Sequence, residues 1–233
     1  MTFKPTLWAT VAAACALLVL VGLGTWQLDR REWKQQIVET RAQRTTVPAL
    51  VYPEIGEIEL AEYRLIQMTG NYRPSDSLRL LSRTRDGRPG FHVITPFRTD
   101  TTNAVVFVDR GWVPIDGDAK IVPAPEGPAH IEGYVRRFGT PGKFTPDNDP
   151  DAGTWFYLDE RQLAPALNID VVAPFYVQLA PDAALPGTYP EGAVPDVALR
   201  NPHLQYAITW YALALVLLVI YVIFHARRRA GAD

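Results

Sequence analysis

Two uncharged apolar runs bracket the chain, Leu7 to Leu28 and Leu204 to Phe224. Each matches the roughly 20 residues that a helix needs to cross the hydrocarbon core of a bilayer. Between them the period of the pattern changes. Trp26, Arg30, Trp33 and Ile37 carry a helical face past the first run, since residues three and four apart share a face, and Pro48 and Pro53 then stop it. From Tyr63 onward, short apolar or alternating runs rich in β-branched and aromatic residues are separated by Gly, Pro and Asp, the signature of strands. Strands are predicted at Tyr63 to Tyr72, Leu78 to Thr84, Gly90 to Phe97, Ala104 to Val113, His130 to Arg137, Trp155 to Leu158 and Phe175 to Leu179. Asp86-Gly87 supplies a turn between the second and third. One short helix is predicted at Asp159 to Leu167, with Asp159 as its N-cap.

These elements predict a membrane protein in which two transmembrane α-helices flank a mainly antiparallel β domain, barrel- or sandwich-like, with a short helix. The divisions are a cytoplasmic N-terminus at 1–6, a first span at 7–28, an extracytoplasmic domain at 29–200, a second span at 201–224 and a basic tail at 225–233. Arg227-Arg228-Arg229 and Lys4 favour a cytoplasmic location for both ends. Arg30, Arg31 and Lys34 count against it, but a long translocated loop is largely exempt from the charge rule. The domain is therefore expected in the periplasm. The first run reads as an anchor, because charge rather than a small-residue cleavage motif follows it, and no Arg- and Ser-rich transit peptide precedes it. A bacterial inner membrane follows as the expected location.

Composition narrows the function. With 23 Lys and Arg against 25 Asp and Glu, the chain lacks the clustered basic charge of a nucleic-acid binder. Cys15 is the only cysteine, which leaves no internal disulfide. Hydrolase signatures are absent: there is no Gly-x-Ser-x-Gly elbow and no His-Glu-x-x-His pair. His92 and His130 fall in predicted strands with no carboxylate at an orienting spacing, and His225 adjoins the basic tail as an interfacial polar anchor. Asp147 to Gly153 resembles the start of a calcium loop, but Ala152 replaces the needed glycine and Leu158 the closing glutamate. A solvated acidic turn is expected. In Val105 to Pro114, strand alternation sends Asp109 and Arg110 to opposite faces and puts Trp112 with Arg110.

The outer edge of the two spans is where inferences converge. Asn201 is a good N-cap and Pro202 suits the first helical position, which places His203 in the first turn with Tyr206 and Trp210 on the same face. The first helix, running the other way, brings Trp26, Gln27, Arg30 and Arg31 to that level, and Arg200 stands beside them. Gly22 and Gly24 could let the helices approach closely. A neutral imidazole there can give a nitrogen lone pair to a metal. A haem with a lipophilic tail fits such a cradle, its iron on His203, its propionates on Arg30, Arg31 or Arg200, its tail in lipid, and Trp26 and Trp210 as flanking rings. The alternative is an ordinary aromatic belt with flanking basic residues, its His bonded to a loop.

Four segments together resemble the surfeit locus protein 1 family of cytochrome c oxidase assembly factors: Gly24 to Lys34, Gly90 to Phe97, Val108 to Pro114, and Asn201 to Tyr211. They span nearly the whole chain in order. The resemblance implies a non-catalytic factor that helps haem a reach, or remain in, subunit I of an aa3-type oxidase. It also implies His203 as axial ligand, with Trp26, Gln27 and Arg30 matching the first-helix motif and Trp210 the second. Haem a synthase and membrane lipid are the other expected partners. A scaffold that steadies an unfinished oxidase subunit without holding haem is the rival reading.

Overall fold

The computed structural model describes residues 5–54, 56–116, 119–181, 188–197 and 201–227. They divide into a helical unit, Met1–Thr40 with Val197–Asp233, and a sheet unit, Arg41–Asp196.

The helical unit contains most of α1 (Leu7–Thr46) and all of α4 (His203–Arg227). The helical face seen after the first apolar run thus belongs to one continuous helix, which ends just short of Pro48. Mean hydropathy over the most apolar window is 2.3 in α1 and 2.5 in α4. Leu18, Val19, Leu215 and Ile220 all face outward, and a helix that is apolar all round requires apolar surroundings. By length and composition both helices could cross a membrane.

Their antiparallel register is fixed by a ladder of contacts. The Thr6 N–H donates to His225 Nε2 at 3.3 Å and Thr10 Oγ1 meets the Tyr221 hydroxyl at 2.7 Å. Farther along, Thr25 Oγ1 meets the Tyr211 hydroxyl at 3.1 Å. Gly24 is buried here, and a Cβ on it would lie 2.9 Å from the Tyr211 ring, whereas one on Gly22 would meet nothing within 4 Å. Close approach therefore belongs to Gly24 alone of the two. Cys15 is exposed on α1.

The sheet unit runs β1 (Leu50–Val51), α2 (Ile58–Ala61), β2 (Leu65–Tyr72), β3 (Leu78–Arg85), β4 (Arg88–Thr99), β5 (Val105–Pro114), β6 (Pro128–Arg136), α3 (Glu160–Ala166) and β7 (Val172–Leu179). Strand order is β1-β2-β6-β7-β5-β4-β3, and β2 pairs in addition with β4. Pairing thus passes around five strands, and Ile66, Phe97, Val108, Val135 and Val177, one from each, share a core. The sheet is mixed rather than uniformly antiparallel. β5 pairs with β7, and β1 with β2, in parallel, because β6 and α3 intervene between β5 and β7, and α2 between β1 and β2.

β5 is buried on both faces, with Val106 and Val108 in one core and Val105 and Phe107 in another beneath α3. This explains its unbroken apolar run. Trp155 to Leu158 is not a strand. Asn148 Oδ1 accepts from the Phe156 N–H at 2.8 Å and Trp155 makes only an isolated bridge with Leu80. Asp159 caps α3, its side chain accepting from the Arg161 N–H at 3.0 Å. Asp149 accepts from the Ala152 N–H at 3.0 Å, the geometry of a self-capped turn.

Candidate functional site

At the end of the helical unit where α4 begins, Asn201 does not cap the helix as its position predicts. Its Nδ2 donates across to the Arg31 carbonyl on α1 at 3.2 Å, and its Oδ1 is shielded with no partner among the described residues. The Pro202 carbonyl accepts from the Tyr206 N–H at 3.3 Å and starts the helical pattern. His203 follows in the first turn, and its Nδ1 lies 2.6 Å from Gln27 Oε1.

That contact fixes the chemistry of the ring. An amide oxygen can only accept, so Nδ1 carries the proton and donates, and the lone pair resides on Nε2. Nε2 is shielded from solvent and has no hydrogen-bond partner among the described residues, although the ring as a whole is only half-buried. An imidazole oriented through one nitrogen by a neutral acceptor, with the other nitrogen uncommitted, is the standard preparation for metal ligation. Among the described residues no three His, Cys, Asp or Glu side chains gather. A single lone pair suits a metal that brings its remaining ligands with it, as a porphyrin does.

The helical register decides which predicted residues join this ring. Gln27, Arg31 and Lys34 follow one another on one face of α1, and Trp26, Arg30 and Trp33 lie on the neighbouring face. Trp26 is 55% exposed, and the Arg30 guanidinium stacks on the Trp33 ring at 3.9 Å. Arg30 and Lys34 are both within electrostatic reach of the imidazole. Trp210 is half-buried two turns beyond His203. Arg200 lies outside the described residues. Gln27, then, makes the direct contact, and its signal in the sequence is its spacing of three residues from the close-approach Gly24.

His225 and His92 are committed. His225 donates from Nδ1 to the Tyr221 carbonyl at 2.9 Å and accepts from Thr6 at Nε2, so it is a buried internal link rather than an interfacial anchor. His92 does meet a carboxylate: its Nδ1 is 2.7 Å from Asp109 Oδ2, and Asp109 Oδ1 accepts from the Gly111 N–H at 3.0 Å. A bulge makes this possible. Trp112 pairs with His92, yet Asp109, not Arg110, pairs with Ile94. The extra residue breaks the strand alternation and turns Asp109 to the face of His92. Arg110 instead donates to the Val122 and Pro123 carbonyls, and the Trp112 indole donates to the Arg83 carbonyl at 3.1 Å. At Gly111 φ is +125° and a Cβ would lie 2.1 Å from the Glu191 carbonyl oxygen, so the bulge requires glycine there.

Known proteins resemble this chain over most of its length. The family model described as the SURF1 family matches residues 14–215. A SURF1-like protein of Monosiga brevicollis is 30% identical over 96% of this chain and 88% of its own length. Surfeit locus protein 1 of Takifugu rubripes is 32% identical over 82% of this chain and 86% of its own. Its Homo sapiens counterpart is 32% identical over 83% of this chain and 69% of its own.

Proposed function

The chain belongs to the SURF1 family, and on that premise we propose that it is a non-catalytic assembly factor for an aa3-type cytochrome c oxidase, binding haem a through His203 and assisting its delivery to, or retention in, subunit I. The observation that carries this reading is the shielded, uncommitted Nε2 of His203 beside a Gln27 that holds the other nitrogen. When bound, haem would supply an iron able to accept the His203 Nε2 lone pair.

The chain's own residues supply the rest. Gln27 selects the tautomer and orients the ring, and the Asn201 amide ties the start of α4 to α1. Arg30 and Lys34 supply positive charge for propionates, and the outward apolar surfaces of α1 and α4 suit a lipophilic tail. The protein is a bacterial inner-membrane protein with a periplasmic sheet domain; haem a synthase supplies the ligand and subunit I receives it.

Co-expression with the enzymes of haem a synthesis, purification in mild detergent and a visible absorption spectrum test the reading. A haem a spectrum that His203→Ala abolishes is expected. Colourless protein under saturating supply overturns haem binding in favour of a haem-free scaffold acting through the sheet domain. A spectrum unchanged by His203→Ala overturns the ligand assignment.

A further inference from the structure

The sheet unit holds a cavity of about 600 Å³, lined by Arg83, Arg136, Arg137 and Tyr176, with Glu62 as the only acid among its described walls. This volume falls in the range of small-molecule sites. The arginines are positioned in advance. Arg83 donates to the Leu81, Ser82 and Phe156 carbonyls, which aligns its guanidinium and leaves part of the fork unused. Arg136 donates to Gln178 Oε1 at 3.0 Å and stacks on the Tyr63 ring, and its Nε is shielded with no acceptor among the described residues. Arg137 meets Glu59 at 3.5 Å in an exposed pair, which binds weakly and can be exchanged.

A neighbouring cavity of about 500 Å³ shares the wall 137–141 and adds Arg161, but Glu57, Glu59, Asp159 and Glu160 also line it. Positive charge is therefore in excess only in the first cavity, where Arg83, Arg136 and Arg137 face one acid, Glu62, whereas in the second four acids outnumber Arg137 and Arg161. Arginine forks match phosphate and carboxylate oxygens in pairs. Phe138, Phe156 and Tyr157 line the same cavity and offer ring surface to the remainder of a ligand.

We propose that this cavity is a binding site for a small phosphate or carboxylate with an apolar body, its oxyanion held by Arg136 and Arg83. The Tyr176 phenol, pushed up by burial with Arg136, Asp109, Arg83 and Glu62 in electrostatic reach, stays a neutral donor for such an oxyanion. The cavity lies wholly in the sheet unit and stands or falls independently of His203.

Calorimetric titration of the full chain in a neutral detergent tests this, with phenyl phosphate and dihexanoyl phosphatidic acid as probes. Saturable binding that weakens about tenfold in Arg136→Gln and in Arg83→Gln is expected, with Arg79→Gln, which stacks on Phe91 instead, unchanged. Tighter binding of the phosphatidic acid assigns a lipid headgroup as ligand; tighter binding of phenyl phosphate assigns a free anion. Arg137→Gln gives a second reading where Arg136→Gln lowers the melting temperature, and it is expected to weaken binding without unfolding the sheet. No saturable heat with either probe, or equal weakening in Arg79→Gln, overturns the site.

Discussion

In the sheet domain Asp109 and His92 are both engaged: one carboxylate oxygen takes the imidazole, the other a backbone N–H, and the strand bulge exists to allow it. In the helical hairpin His203 is half-engaged, with Gln27 on one nitrogen and no described residue on the other. The first arrangement stabilises a fold. The second leaves a shielded acceptor without a described partner until something binds it. Guanidinium atoms in the sheet, such as Arg64 Nε, are also orphaned, but Arg64 donates elsewhere, to the Pro48 carbonyl. An imidazole held by one nitrogen has only one other group to offer.

The sharpest way to break this comparison is to remove the two rings separately. His203→Ala is expected to eliminate the haem a spectrum of co-expressed protein, whereas His92→Ala leaves it intact; equal loss in both would show that the spectrum reports folding rather than ligation. Gln27→Ala tests the orienting contact and is expected to weaken haem retention by about 10- to 100-fold, the usual cost of losing a group that fixes a metal-bound histidine. Stability responds in the opposite sense. Asp109→Ala strands the Gly111 N–H and the His92 Nδ1–H in a buried setting and is expected to cost about 2–4 kcal/mol in urea unfolding followed by near-ultraviolet circular dichroism. His203→Ala is expected to leave that transition in place.

The same comparison explains what the sequence made legible. Both long helices, six strands and the Asp159 cap follow from periodicity and turn chemistry, which are local. The pairing of His92 with Asp109 does not, because one extra residue in β5 reverses which side chain faces the neighbouring strand, and alternation alone assigns that face to Arg110. β1 and α2 are too short to carry a period. At the helix ends, depth was legible and rotation was not. Trp26 and Gln27 reach the same level, but they point about 100° apart around α1, and only the register against α4 shows which one meets His203. The parallel pairing of β5 with β7 is a matter of chain path, to which hydropathy is blind.

Register is itself testable through the two glycines. Gly24→Val forces branched atoms against the Tyr211 ring, whose hydroxyl is held by Thr25. It is expected to destabilise the hairpin by about 1–3 kcal/mol and to weaken haem retention by shifting Gln27 from His203. Gly22→Val meets open space and changes neither. Thermal unfolding in detergent, with the haem spectrum read in parallel, separates the two. Equal behaviour of both variants would show that the helices do not pack at Gly24.

The smallest effect lies in the sheet and is invisible at neutral pH. Burial, opposed in part by the charge of Arg110, pushes the Tyr72 phenol up to about 12 from its ordinary value of 10.0. The folded state therefore favours the protonated phenol. This stabilisation is fully present below pH 10, where the unfolded phenol is also protonated, and is lost as pH rises from about 10 to about 12, with a slope of at most about 1.4 kcal/mol per pH unit for one proton. Tyr134 and Tyr176 are raised by burial as well and add to the same alkaline limb. Tyr72→Phe removes one titrating group and keeps the ring that packs edge-on against Phe97 at 4.9 Å. Its unfolding free energy is expected to match the parent at pH 7 and to fall less steeply above pH 10. A parallel alkaline decline in parent and variant would mean that the Tyr72 hydroxyl reaches solvent, and would place β2 differently in the sheet.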